Sequence, residues 1–140
     1  MPLVDVLIVS ASREAFDRVS AQALADGIGR ALGSAPGHTW VRLQWLDARC
    51  YAENEVASPA GVDDAAPAAE AGDAASLAAI GPVFVTLGLA ALPSPEQRAA
   101  HARALTEAVA PLVPVTPELV HLTYAPALGG RQAFGGRLVP

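Results

Sequence analysis

The feature that most constrains the fold is an internal duplication. Ser12-Arg13-Glu14 recurs as Ser94-Pro95-Glu96, Ala21-Gln22-Ala23-Leu24 as Ala102-Arg103-Ala104-Leu105, and Val41-Arg42-Leu43 as Val120-His121-Leu122. The separation stays at about 80 residues through all three matches, the mark of one supersecondary unit used twice.

Each copy reads as strand, helix, strand. Leu3 to Val9 is an apolar run interrupted by Asp5, which predicts a strand buried on both faces. Ser10-Ala11-Ser12 supplies helix-capping side chains. Phe16, Val19, Ala23, Leu24, Ile28, Ala31 and Leu32 then recur at helical spacing, predicting one amphipathic helix of about five turns. Gly33, Pro36 and Gly37 end it. From Thr39 to Asp47 the period is two, with Val41, Leu43 and Trp45 on one face and Trp40, Arg42, Gln44 and Leu46 on the other. The second copy starts at Gly81-Pro82-Val83-Phe84-Val85-Thr86-Leu87, a strand led by a proline. Its helix opens at Ser94-Pro95-Glu96-Gln97 with a cap, a proline in the first turn and a capping-box glutamine. Leu119 to Tyr124 is its closing strand.

A crossover connection of this length joins parallel strands. The expected fold is therefore α+β: a tandem βαβ repeat in which one four-stranded sheet carries two helices on one face. The units span about 2–50 and 81–126 of a single domain, 1–140. The opposite face, with Trp40 and Arg42, has no cover within the chain. It predicts a closed homo-oligomer. Residues 51–76, rich in Ala, Pro and acids, read as a mobile loop. Residues 127–140, with Gly129-Gly130 and Gly135-Gly136, read as a glycine-rich hairpin whose last strand pairs with another subunit's sheet.

Composition narrows the function. Of 140 residues 52% are apolar and 16% charged, and the net charge of −5 disfavours nucleic acid and anionic membranes as partners. No apolar run reaches the length of a membrane span, and no basic leader is expected ahead of the first strand. Together with the lone Cys50, a small buried hydrophobe by preference, this predicts a cytoplasmic protein. His38, His101 and His121 lack the spacing of zinc ligands, so no metal is expected. All nine basic residues are arginine. With no lysine, the α-amino group is the one amine able to act as a base near neutral pH. Methionine before a small residue is expected to be removed in synthesis. Pro2 would then offer a free secondary amine at the mouth of the first strand; taken alone, it reads as ordinary punctuation before that strand.

These residues resemble the tautomerase superfamily, which includes 4-oxalocrotonate tautomerase and macrophage migration inhibitory factor. The resemblance rests on Met1-Pro2 opening a strand, the duplicated βαβ unit, Trp40-Val41-Arg42-Leu43 on the second strand, and Ala133-Phe134-Gly135-Gly136 near the end. It implies a trimer of fused two-unit chains with a cofactor-free site at each N-terminal proline, lined in part by neighbouring subunits. Pro2 would be the general base and acid. Arg42 would polarise a substrate carbonyl or carboxylate, although it reads equally as an ion-pair partner of Asp47 or of an acid on another subunit. Phe134 would wall the proline pocket or simply pack in the core. Tyr124 matches a hydrogen-bond donor of some members but could equally lie under a helix.

Departures from the family pattern limit the chemistry. Arg13 stands about two positions away from the arginine many members carry after the first strand. Leu89-Ala90-Ala91-Leu92-Pro93 replaces the arginines that dehalogenase and decarboxylase members carry after the third strand, and Ala133 replaces the acid that activates water in hydrating members. Keto–enol tautomerisation or another proton transfer in a small enol or α-keto compound remains. A monoacid or neutral enol is favoured over a dicarboxylate. Two other readings stay open: a catalytically degenerate trimer that binds or scaffolds, and a dimeric ferredoxin-like barrel.

Overall fold

The computed structural model describes residues 1–54 and 80–140. From residue 55 onward, the loop expected over 51–76 lies outside the described residues. The chain runs β1 (Leu3–Ser10), α1 (Arg13–Asp17), α2 (Ala21–Ala31), β2 (Trp40–Asp47), β3 (Ile80–Gly88), α3 (Pro95–Val109) and β4 (Val120–Tyr124). Short strands β5 (Ala133–Phe134) and β6 (Arg137–Leu138) follow, and one-turn 3-10 helices occupy Ala48–Cys50 and Pro117–Leu119.

The four long strands form one sheet in the order β2-β1-β3-β4. Pairing is parallel within each repeat, β1 with β2 and β3 with β4, and antiparallel where β1 meets β3. Two βαβ units thus join through their first strands, giving the four-stranded sheet expected from the duplication, and the antiparallel junction makes it mixed. Pro82 lies well inside a central strand, where its missing N–H would break a ladder. The sheet accommodates it with a bulge: Ile8 pairs with Val83 and Ser10 with Ile80, so Gly81 and Pro82 together face Val9.

Alternate residues of each strand point to the helices. Val4, Val6 and Ile8 of β1 and Val83, Val85 and Leu87 of β3 are essentially fully buried against Leu24, Ile28, Leu105 and Val109. Val41, Leu43 and Trp45 of β2 and Leu122 and Tyr124 of β4 extend this core at the edges. Burying each Val, Leu or Ile side chain contributes roughly 1.5–3 kcal/mol against the entropy of ordering the chain.

The first helical stretch differs from the expectation of one continuous helix. Two capping serines divide it: Ser12 accepts the Ala15 amide and starts α1, and Ser20 accepts the Ala23 amide and starts α2, each at 3.1 Å. A second N-cap in mid-pattern offers amides an alternative to the preceding carbonyls, and the helix restarts there. The α3 capping box forms as its sequence predicts, with Ser94 and Gln97 bonding each other's amides.

The face away from the helices carries Leu3, Asp5 and Leu7 of β1 beside Trp40, Arg42 and Gln44 of β2. It is only half covered, so β1 is not buried equally on both sides. The chain covers this face at its two ends. Val9 is buried with Ala48 beneath Leu46, Tyr51 and Phe84. At the other end the C-terminal segment passes beside β3, where the Ala125, Leu128 and Gly129 amides donate to Leu87, Leu89 and Ala90 carbonyls at 2.8–2.9 Å. Gly88 allows this approach: a Cβ there would lie 2.6 Å from Leu128 Cδ1. Gly135 and Gly136, with φ of +54° and +79°, make the two-residue turn between β5 and β6.

Candidate active site

The beginnings of β1 and β2 lie side by side, and the Trp40 amide donates to the Pro2 carbonyl at 3.1 Å. Pro2 is half-buried and Met1 exposed. Phe134 stands edge-on to Trp40, with ring centroids 4.5 Å apart and planes at 84°. The C-terminal hairpin therefore brings Phe134 to the Pro2 end of the sheet. Trp40, 43% exposed, also donates its indole N–H to the Gly37 carbonyl at 3.3 Å, which fixes the ring.

Arg42 lies two residues further along β2, about 6.6 Å at strand spacing. It projects on the same open face as Trp40, as the alternation predicts. Its Nε donates to Asp5 Oδ1 at 2.6 Å and its Nη2 to Asp5 Oδ2 at 2.7 Å, a two-pronged pair. Asp5's hydrogen bonds, and then its charge, hold the guanidinium above its ordinary pKa.

Asp47, expected as one partner for Arg42, does not bind it; Asp5 does. Asp5 and Arg42 are direct register partners on adjacent parallel strands. Asp47 stands five positions from Arg42, an odd number, and so falls on the opposite side of β2. Asp47 binds Arg49 instead, at 3.0 and 2.7 Å, and hydrogen bonds from that side chain and backbone lower its carboxyl to about 2.

The structure separates the other two candidates from this cluster. Tyr124 lies on the helix side of β4, packed against the core, with its hydroxyl 3.5 Å from the Arg98 carbonyl. Burial raises its phenol pKa. Five residues of alternation starting from Val120, a core residue, put Tyr124 on that side. Arg13 begins α1, beyond the far end of β1 from Pro2, an eight-residue strand of about 26 Å. There Arg13 pairs with Asp17 at 2.8 Å and lies over the Phe16 and Trp45 rings at 5.2 and 5.4 Å.

Sequence reasoning missed Asp5 and Trp40 as members of the site. A visible signal existed for Asp5, an acid in an apolar strand with the parity of Leu3 and Leu7. Pro2, Asp5, Arg42, Trp40 and Phe134 together offer a planar cation, an acid and an aromatic wall beside the chain's beginning. Among the described residues no three His, Cys, Asp or Glu side chains group closely enough to hold a metal ion.

Solved structures share this architecture over nearly the whole chain. A fused 4-OT, described as a symmetric trimer, matches with a TM-score of 0.62 at 20% identity, covering 98% of this chain and 94% of its own. A malonate semialdehyde decarboxylase inhibited by 3-bromopropiolate matches at 0.62 and 19% identity, over 95% and 88%. Macrophage migration inhibitory factor of Toxoplasma gondii matches at 0.56 and 12%, over 97% and 98%. The chain thus has the tautomerase-superfamily fold, in the arrangement of the fused two-unit proteins. No family model matches the sequence, and no curated protein matches it.

Proposed function

We propose that the chain is a cofactor-free tautomerase or isomerase that moves a proton within a small enol or α-keto substrate, with the Pro2 amine as general base and acid. The observation that carries this reading is the seating of Pro2, bonded to Trp40, whose ring Phe134 closes from the side. With Met1 removed, the Pro2 nitrogen is a secondary amine at the end of the sheet that carries Trp40 and Phe134. Desolvation disfavours its protonated form and brings its pKa toward neutrality, where a general base is most useful. The amine takes the enol O–H proton, and the resulting ammonium returns a proton to the substrate carbon. Arg42 donates N–H groups to the oxygen on which negative charge develops.

The reading also takes the chain as a homotrimer, like the fused 4-OT it resembles. The open sheet face, with Trp40, Arg42 and Gln44 exposed, suits burial against other copies. Within one chain Arg13 is remote from Pro2, so its substrate-binding role requires it to enter a neighbour's pocket. Tyr124, under α3, takes no part. No described helix is long and apolar enough to cross a membrane. With the net charge of −5, this fits a cytoplasmic enzyme of small molecules, without nucleic-acid or membrane partners.

The Asp5–Arg42 pair favours a second reading. A guanidinium whose fork is filled is a poorer clamp, as in a degenerate trimer that binds without turning over. Intact mass and ketonisation of phenylenolpyruvate and 2-hydroxymuconate separate the two. The enzyme reading expects loss of Met1, and a fall in kcat/KM of roughly 10²–10⁴-fold in Pro2→Ala. Arg42→Ala raises KM or lowers kcat. Equal rates for native and Pro2→Ala protein, or full retention of Met1, leave the binding reading.

A further inference from the structure

We propose that Asp5 is a specificity residue: by occupying the fork of Arg42 it makes the site select substrates of low charge and turn away dicarboxylates. This deepens the tautomerase reading and rests on it for the catalytic readout.

Donor geometry sets what Arg42 can hold. A guanidinium presents five N–H groups in a rigid plane, and its best carboxylate site is a two-pronged edge. Asp5 takes such an edge, Nε and Nη2, at 2.6 and 2.7 Å. The remaining N–H groups, on Nη1 and the outer side of Nη2, form the other edge of the guanidinium, open to a carbonyl or enol oxygen. A substrate carboxylate reaching for them would stand beside the Asp5 carboxylate, and like charges in contact are strongly discriminated against.

The positions of the two residues make Asp5 a fixed element. It sits within β1, directly in register with Arg42, and its side chain is 33% exposed against 60% for Arg42. The acid is thus the anchored partner and the guanidinium the outward one. Chemically the pair is neutral, so Arg42 offers hydrogen bonds without a net positive charge to gather anions. The hydrogen bonds that Arg42 donates to Asp5, and then the charge of Asp5, also raise the guanidinium's pKa.

The test uses processed, assembled protein: native, Asp5→Asn, which keeps the shape and removes the charge, and Asp5→Glu, which restores it. Turnover is measured with 2-hydroxymuconate, a dianion, with phenylenolpyruvate, a monoanion, and with the neutral phenylenolpyruvate methyl ester. Binding of unreactive muconate is measured by calorimetry. In Asp5→Asn, kcat/KM for 2-hydroxymuconate rises about tenfold or more through KM. The methyl ester gains least, phenylenolpyruvate falls between, and Asp5→Glu returns to native behaviour. Muconate binding tightens in parallel and is lost again in Asp5→Asn/Arg42→Ala. Pro2-dependent turnover with an unchanged dianion-to-ester ratio in Asp5→Asn overturns the proposal. Turnover independent of Pro2, with tighter muconate binding in Asp5→Asn, contradicts the catalytic reading and supports the selection by charge. Unchanged muconate binding in Asp5→Asn overturns that selection whatever the turnover.

Discussion

Phe134 meets Trp40 edge to face, with ring centroids 4.5 Å apart and planes at 84°. Through this contact the end of the chain closes over its beginning, because the Trp40 amide holds the Pro2 carbonyl. The hairpin is too short to be stable by itself in water, so it depends on this ring contact together with the Leu128 and Gly129 amides bonded to Leu89 and Ala90.

A double-mutant cycle of Trp40→Ala and Phe134→Ala measures that contact. The expected coupling is about 0.5–1.5 kcal/mol in chemical denaturation, the usual excess of an aromatic pair over its buried area. Additive effects would show that the two rings are neighbours without mutual stabilisation.

Gly136→Ala tests how the hairpin positions Phe134. At φ of +79° an alanine is strained by about 1–2 kcal/mol, and a Cβ there meets no other atom within 4 Å, so the strain is purely conformational. The Val139 amide, which donates to the Gln132 carbonyl at 2.7 Å, should exchange with solvent faster while β1–β4 amides keep their protection. Unchanged exchange at Val139 would mean that the turn does not limit hairpin opening.

In the core, Leu105→Ala removes a fully buried side chain between α3 and the sheet. It should cost about 2–5 kcal/mol. Ser94→Ala removes the α3 cap and the hydroxyl's bond to Glu96, and should cost about 1 kcal/mol. Urea midpoints of both variants check this order, and a cap variant as damaging as the core variant would contradict it.

The two tyrosines predict the alkaline limit of stability. Tyr51 is raised by its hydrogen bond to Glu53 and then by burial, and Tyr124 by burial. Both folded values lie above the unfolded value of about 10, so folding favours the neutral phenols. That contribution is fully present below about pH 10 and disappears as pH rises through the folded values. Phenolate absorbance should therefore appear at higher pH in native protein than in urea. Coincident curves would contradict this.

The fold was legible because duplication and alternation act over whole elements. Val41, Leu43 and Trp45 pack on the core, as their parity requires, and Trp40 and Arg42 stand on the open face. The break between α1 and α2 was less visible, because Ser20 fits a helical pattern until its side chain is seen capping Ala23. The site was legible in part. Pro2 stood out through the absence of lysine and the face of Arg42 through alternation, whereas Phe134 rested on the family resemblance and Asp5 depended on the register of two strands. A pattern read within one strand does not specify register, which pairing with its neighbour decides. Tyr124 was the reverse case, since its parity with Val120 already pointed it beneath α3.

The most direct test of the central claim is a ¹⁵N NMR titration of proline-labelled native protein. Of the 12 prolines, only one at a free N-terminus has a nitrogen that titrates. One titrating resonance is expected, from Pro2, with a pKa lower in the folded protein than in the urea-denatured chain and close to neutrality. A resonance that titrates at or above the denatured value, or no titrating proline nitrogen at all, would contradict it.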